Sequence, residues 1–330
     1  MAIDLSFSLD AGFAKKPALD PDRVYDLLVV GSGPAGANAA LYAARKGLSA
    51  GILGKRKGGQ LLDTSGVENY LGVVDVDGEG LAKRFLDHVA RYDVPVADEA
   101  EVVAYATEGR LHRLTLATGE SYRAKAVVVA TGSTPRRLGV PGEERFAGKG
   151  VGYCAICDGP LFIGKDVFVA GGGNSAAQAA LDLAAQSRSV TVVQRSVLRA
   201  DAVLAERLAA HPRIRVLLGT RIVEVLGDAR MTGILVEDAA TGERRTLAGD
   251  GLFVEIGHLP NAGAFASSAE LTESGEIRTD ERMRTNVPGL FAAGDVTAFP
   301  YKQIVIAAGQ GATAALAASE YIQRTDFERN

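Results

Sequence analysis

Short apolar runs that stop at glycine recur along the chain. Tyr25–Val30 is apolar except for Asp26 and has the length of a buried strand. Gly31–Gly36 follows as a turn, and Ala35–Arg45 is rich in helix formers and ends before Gly47. "LSAGILGKR" then reads as a second strand. Strand, glycine turn, helix and strand make a βαβ unit, which predicts a parallel sheet. The same order returns about 140 residues later: Val167–Ala170 as strand, Gly171–Gly173 as turn, Ala176–Gln186 as helix and "SVTVVQR" as strand.

A different pattern lies between the units. "RLHRLTL" alternates and is followed by the turn "ATGE"; "TGILVEDAATGERRTL" repeats that hairpin pattern in the second half. "KAVVVATG" and "GLFVEIG" stand at matching places as buried strands ending in glycine, a second sign of internal duplication. The chain closes with a strand, a loop and a long Ala-rich helix.

Length and charge narrow the class. At 330 residues, two domains are the expectation. A net charge of −4 argues against a nucleic-acid ligand and offers no attraction to an anionic membrane. Leu27–Ala44 carries no charge, but its glycines, Pro34 and Asn38 suit a strand, turn and helix better than a membrane span. The first residues lack a basic start and a long apolar core, so no signal peptide is expected. They read as an extension, and the expected compartment is the reducing cytoplasm.

Both turns carry chemistry. "GSGPAG" (Gly31, Ser32, Gly33, Pro34, Ala35, Gly36) is GxGxxG between a strand and a helix. The first glycine permits the turn, the second lets backbone approach a pyrophosphate, and the third lets helix and strand pack. "GGGNSA" is the same device with Ala176 in the last position. The plain alternative for either is a tight turn without a ligand. A carboxylate for the adenosine ribose is expected about 20 residues beyond each turn. The first unit holds Gly54, Lys55 and Arg56 there, and the second Gln194, Arg195 and Ser196. Gln194 suits ribose hydroxyls and hence NADH, whereas Arg195 suits a 2′-phosphate and hence NADPH.

The two cysteines of the chain stand in "VGYCAICDGPL" as Cys154 and Cys157. A zinc site needs four ligands. There is no third cysteine, and the four histidines are scattered, so no metal is expected. A redox dithiol fits this glycine-rich entry to the second unit better than two inert thiols. Asp158 is either a surface turn residue or an acid–base group for the pair. Lys55–Lys57 reads as solvated surface, and His258 receives no role.

"GSGPAG", "GGQ" (Gly58–Gln60), "VENY" (Val67–Tyr70), "ATG" (Ala130–Gly132), CxxCD, "GGGNSA", "GHLPN" and "AAGD" (Ala292–Asp295) occur in that order. Together they resemble the low-molecular-weight thioredoxin reductases. Within that group they look most like the C-terminal reductase portion of the alkyl hydroperoxide reductase flavoprotein subunit. The resemblance implies an α/β fold of two Rossmann-like, three-layer ββα domains. Residues 1–22 would be an extension, 23–137 and 268–330 a discontinuous FAD domain, and 138–267 an inserted NAD(P)H domain carrying the CxxC. For FAD it implies the whole Gly31–Gly36 turn, Gly59, Gln60, Asn69, Ala130, Thr131, Gly132, Gly294, Asp295, Lys302, Gln303 and Ile304. For NAD(P)H it implies Gly171, Gly173, Asn174, Ser175, Ala176, Gln194, Arg195 and Gly257.

The implied activity moves electrons from NADH or NADPH to FAD and then to a Cys154–Cys157 disulfide. Cys157 would face the flavin, Cys154 would attack the partner disulfide, and Asp158 would handle protons. The implied partners are a small dithiol protein (a thioredoxin or a glutaredoxin-like protein) or a peroxiredoxin. A homodimer and a rotation of one domain against the other are also implied. Two departures matter. The flavoprotein subunit's extra relay module with its own CxxC is not seen here, so if the function is peroxide defence the expectation is a separate small dithiol relay or a directly docking peroxiredoxin. "VVQRSVLRA" keeps Arg195 and Arg199 but lacks the His and second Arg usual for NADPH, which tilts the coenzyme expectation to NADH. The rival readings are an NAD(P)H oxidase that gives electrons to oxygen, and a flavoprotein disulfide reductase or sensor that does not use NAD(P)H.

Overall fold

The computed structural model describes residues 18–325 and 327, apart from Ser65 and Glu68. Most of the 1–22 extension and Glu68 of the "VENY" motif therefore lie outside the described residues. The first βαβ unit is β1 (Val24–Val30), α1 (Pro34–Arg45) and β2 (Ala50–Leu53). Helix α2 (Gly78–Ala90) begins at Asp77, whose side chain accepts the Gly80 N–H. Strands β3 (Val96–Ala97), β4 (Val102–Glu108), β5 (Leu111–Leu116) and β6 (Ser121–Val129) complete this half. They form one sheet in the order β3-β2-β1-β6-β5-β4. Its β3-β2-β1-β6 part is parallel and its β6-β5-β4 part antiparallel.

The chain crosses to the second unit at β7 (Ser133–Pro135) and reaches β8 (Val151–Gly152) and α3 (Ala155–Asp158). Then come β9 (Asp166–Ala170), α4 (Asn174–Ala184), β10 (Ser189–Val193), α5 (Ala202–Ala210) and β11 (Ile214–Leu217). An antiparallel sheet follows: β12 (Thr220–Gly227), β13 (Met231–Asp238) and β14 (Arg244–Ala248). The parallel sheet is closed by β15 (Gly251–Val254), giving the order β11-β10-β9-β15-β8. One apolar core lies between this sheet and α4, and another between it and the antiparallel sheet. These are the three layers that the sequence resemblance implies.

The chain returns at β16 (His258–Pro260), which pairs antiparallel with β7. The return crossing thus comes before residue 267. Ala262 and Phe265 are already buried in the first unit's core, where Phe265 packs on Tyr105 at 5.2 Å. Strand β17 (Leu290–Ala292) then joins β6 in parallel, and α6 (Ile304–Arg324) packs along α1. A Cβ on Gly311 would lie 2.0 Å from Ala35 O, so the two helices touch backbone to backbone there. No described helix is long and apolar enough to cross a membrane.

Candidate functional site

Each glycine turn divides its labour in the same way. A Cβ on Gly31 would meet Ala130 O at 2.1 Å, and Gly31 has φ +113°, so only glycine serves there. A Cβ on Gly36 would meet Gly31 O at 1.9 Å. The middle residue differs: around Gly33 the nearest atom is 3.9 Å away, and around Gly173 nothing lies within 4 Å. The fold does not need glycine at those two positions, and the space it leaves fits a pyrophosphate drawn to the helix N-terminus. In the second unit a Cβ on Gly171 (φ +140°) would meet Glu255 O at 2.2 Å.

One cavity of about 3040 Å³ runs through both units. That is roughly three times the upper size of an ordinary small-ligand pocket, enough for two dinucleotides. The first turn lines it at Gly31, Ser32, Gly33, Pro34 and Ala35, faced by Gly59, Gln60 and Asn69. Ala130, Thr131 and Gly132 line it at the end of β6, and Gly294, Asp295, Lys302, Gln303 and Ile304 at the entry to α6. Asn69 Nδ2 donates to Gln303 Oε1 at 3.1 Å across that wall. The buried Ser133 Oγ has no partner among the described residues and its residue lines the cavity. An open Gly33 and an unpartnered hydroxyl fit a bound dinucleotide such as FAD.

The second stretch of wall holds Gly171, Gly173, Asn174, Ser175, Gln194 and Arg195, with Gly257 beyond β15. Gln194 is buried, and its Nε2 donates to Val197 O at 3.1 Å and Ser196 Oγ at 3.3 Å. Its side chain lies under Gly172, where a Cβ would meet it at 2.6 Å. Gly36 and Ala176 are expected contact residues that the structure keeps off the wall. They are the third position of each turn, and both are buried where helix packs on strand.

Cys154, Cys157 and Asp158 line the same cavity. Cys154 and Cys157 form a disulfide. Cys154 Sγ accepts the Cys157 N–H at 3.2 Å. Asp158 is partly buried, and burial pushes its carboxyl up to about 6. Such a group holds or gives up a proton near neutrality. Burial likewise raises Asp295, against the opposing charge of Lys302. His258 is lowered by burial and Lys302, with Glu276 opposing.

Two acidic residues at the cavity escaped the motif reading. Glu101 lines it and pairs with Lys55 at 2.7 Å. The pairing spans 46 residues, so only the fold could reveal it. Glu255 directly follows β15, and burial pushes its carboxyl up to about 7, opposed by the Ala155 N–H. Asn261, the last residue of "GHLPN", ties the crossing together: its Nδ2 donates to Thr131 O at 3.0 Å, and its own O accepts Thr131 Oγ1 at 2.7 Å.

Comparison with known proteins places this geometry. The chain is 47% identical over 320 residues to the F component of alkyl hydroperoxide reductase from Pseudomonas putida. That match takes in 96% of this chain and 62% of the relative, so the chain spans less than two thirds of the relative's length. Among solved structures, thioredoxin reductase from Streptococcus pyogenes superposes with TM-score 0.87 at 37% identity, over 92% of this chain and 99% of that one. Thioredoxin reductase from Lactococcus lactis, described as the FR conformation, gives 0.64 at 34% identity over 91% of this chain and 100% of that one. The family model for pyridine nucleotide-disulphide oxidoreductases matches residues 25–311, from the first strand of the flavin-type turn to α6. With two dinucleotide turns and a cystine on one cavity, the chain belongs to the pyridine nucleotide-disulphide oxidoreductase family.

Proposed function

We propose that the protein carries electrons from NADH or NADPH, through FAD, to its Cys154–Cys157 disulfide, and from there to the disulfide of a partner protein. The observation that carries this reading is the single cavity on which both turns and the cystine open. FAD, when bound, would supply two-electron transfer between the nicotinamide and the cystine. The Gly31–Ala35 turn would hold its pyrophosphate, and the Gly171–Ser175 turn that of the coenzyme. Cys157 is assigned to the flavin side and Cys154 to the partner. The Cys157 N–H on Cys154 Sγ supports this, because it would meet the negative charge of a Cys154 thiolate. Asp158, with its raised carboxyl, would take and return a proton as the sulfurs change state.

The partner is a small dithiol protein, thioredoxin or glutaredoxin-like, or a peroxiredoxin. NADH is the coenzyme placed first: the Gln194 amide nitrogen is engaged by Ser196 and Val197, which leaves the oxygen to accept from ribose hydroxyls. We assign the enzyme to the cytoplasm and to a homodimer, for which sedimentation should give twice 34.4 kDa. Domain boundaries near 137 and 267, with β7 and β16 as the crossing, would let one unit turn on the other. The fall in TM-score from 0.87 to 0.64 at similar identity and coverage supports two such arrangements in relatives.

Anaerobic mixing with NADH and with NADPH tests the reading directly. Bleaching of the oxidised-flavin band by at least one of them is expected, faster with NADH; no bleaching by either would sink the proposal. Cys154→Ser should keep the bleaching and lose partner-disulfide reduction. If it keeps partner-disulfide reduction, the assigned role of Cys154 fails; oxygen-dependent NAD(P)H consumption that survives loss of both cysteines would mark an oxidase instead.

A further inference from the structure

Glu255 stands beside the redox pair without belonging to any motif of the site. Strands β8 and β15 run parallel with Gly152 opposite Phe253, so two residues further on Glu255 comes level with Cys154. The Ala155 N–H, between the two cysteines, donates to Glu255 Oε1 at 3.4 Å. Glu255 N donates to Ala170 O at 2.8 Å, and Glu255 O walls the underside of Gly171. Its backbone is therefore fixed between the cystine and the second glycine turn. Its carboxylate shares the cavity wall with Cys154, Cys157 and Asp158.

The surrounding groups leave this carboxylate without a cationic partner among the described residues. From β8 and α3 it is faced by Cys154, Cys157 and Asp158. From β9 and its turn come Ala170, Gly171 and Ala176, none of which titrates. Arg136 lies along Gly257 and His258 follows it, but neither contributes to the shift at Glu255. Burial raises the carboxyl to about 7, and the Ala155 N–H alone opposes it. A thiolate formed in the same wall would repel the carboxylate and raise it further.

We infer that Glu255 is a positioning residue for the redox pair: it takes up one proton when the disulfide is reduced and returns it when the disulfide re-forms. The inference rests on the electron route proposed above. On reduction the S–S bond breaks and accepts two electrons from the reduced flavin. One proton converts one sulfur to a thiol and the other sulfur remains a thiolate. A second proton from solvent neutralises Glu255, so the net charge of the wall is unchanged. On re-oxidation the partner disulfide accepts two electrons and the same two protons.

The test is the reduction equilibrium of the pair against pH. The flavin-loaded protein is equilibrated in dithiothreitol redox buffers from pH 5.5 to 8.5, free thiols are blocked, and the reduced fraction is read by mass. Wild type and Glu255→Gln should coincide below pH 6.5, where Glu255 is neutral. Above pH 7 they should diverge, with the variant about tenfold easier to reduce at pH 8. Glu255→Asp should recover the wild-type pH dependence. Parallel curves for wild type and Glu255→Gln at every pH overturn the inference. So does a uniform shift in Glu255→Ala with Glu255→Gln silent, because that is the mark of a hydrogen-bond acceptor only. A wild-type pair that fails to titrate as a two-electron couple removes the electron route itself, and this inference with it.

Discussion

The two halves of this molecule repeat one device and use it for different ends. In the first unit the turn is locked on three sides: Ala130 at the end of β6 sits against Gly31, the Gly31 carbonyl and Val29 of β1 sit against Gly36, and α6 runs along α1 to touch Ala35. Among the described residues the second turn has no counterpart of α6. Ala176 replaces the third glycine, and the backbone oxygen packed against Gly171 belongs to Glu255, whose side chain lies beside the cystine. Their buried titratable groups also differ. The first unit buries a histidine, His112, bonded through Nδ1 to Tyr105 Oη at 2.8 Å and lowered to about 4. The second holds two raised carboxyls, Asp158 and Glu255, where the first holds one, Asp295, opposed by the charge of Lys302. The first turn is enclosed by the backbone of neighbouring helices and strands, and the second lies beside the cystine and its raised carboxyls.

The strongest challenge to this contrast is Gly36→Ala. Its Cβ would enter backbone at 1.9 Å, so a loss of more than about 3 kcal/mol is expected, with the flavin spectrum lost in the same sample. At the equivalent place in the second unit a Cβ is already present as Ala176, and reverting it to glycine should cost about 1 kcal/mol by helix propensity. Equal losses for the two would end the claim that the turns are packed differently.

Opposite pH responses come next. His112 binds a proton near 6.5 when unfolded and near 4 when folded, so the unfolded chain holds more protons in that window and stability falls as pH drops through it. Glu255 and Asp158 titrate near 7 and 6 folded, against ordinary values of 4.5 and 3.8. The folded chain then holds more protons, and stability falls as pH rises through that window. Hydrogen exchange resolved by unit at pH 5 and pH 7.5 should show the first unit less protected at the lower pH and the second less protected at the higher, by of order 1–3 kcal/mol each. The same sign in both units would contradict the assignment.

Gly173→Ala probes space without strain. Nothing lies within 4 Å of the added carbon, so beyond the small cost of alanine at this helix N-cap, about 1–3 °C in melting temperature, the effect should be a coenzyme KM raised by about tenfold. The smallest effect is expected at Arg195, which lines the cavity from an exposed position. Arg195→Ala should leave NADH turnover within about twofold and weaken NADPH more, as seen in the ratio of the two kcat/KM values.

Much of this architecture was legible because local patterns carry it. Val24–Val30, Pro34–Arg45, Asp166–Ala170 and Asn174–Ala184 follow the apolar runs and glycine stops within a residue or two. The hairpin signals near 111–121 and 231–248 mark real antiparallel pairs. Helices α2 and α5 were not read from the sequence. Helix α5 has nine residues and one buried side chain, Leu208, so its apolar pattern is weak, whereas α2 buries Leu81, Ala82 and Val89 on one face, a periodicity the sequence does carry.

Two glycine turns, a CxxCD between them and their order along the chain were determined by the sequence alone, because each is a local device whose residues are adjacent. Tertiary structure decided which device faces which. It carried the return crossing back at His258–Pro260, brought Glu101 to Lys55, and set Glu255 level with Cys154 through the register of two parallel strands. Even the shortest of these pairings, Lys55 with Glu101, joins residues 46 positions apart, and local pattern holds no information at that range.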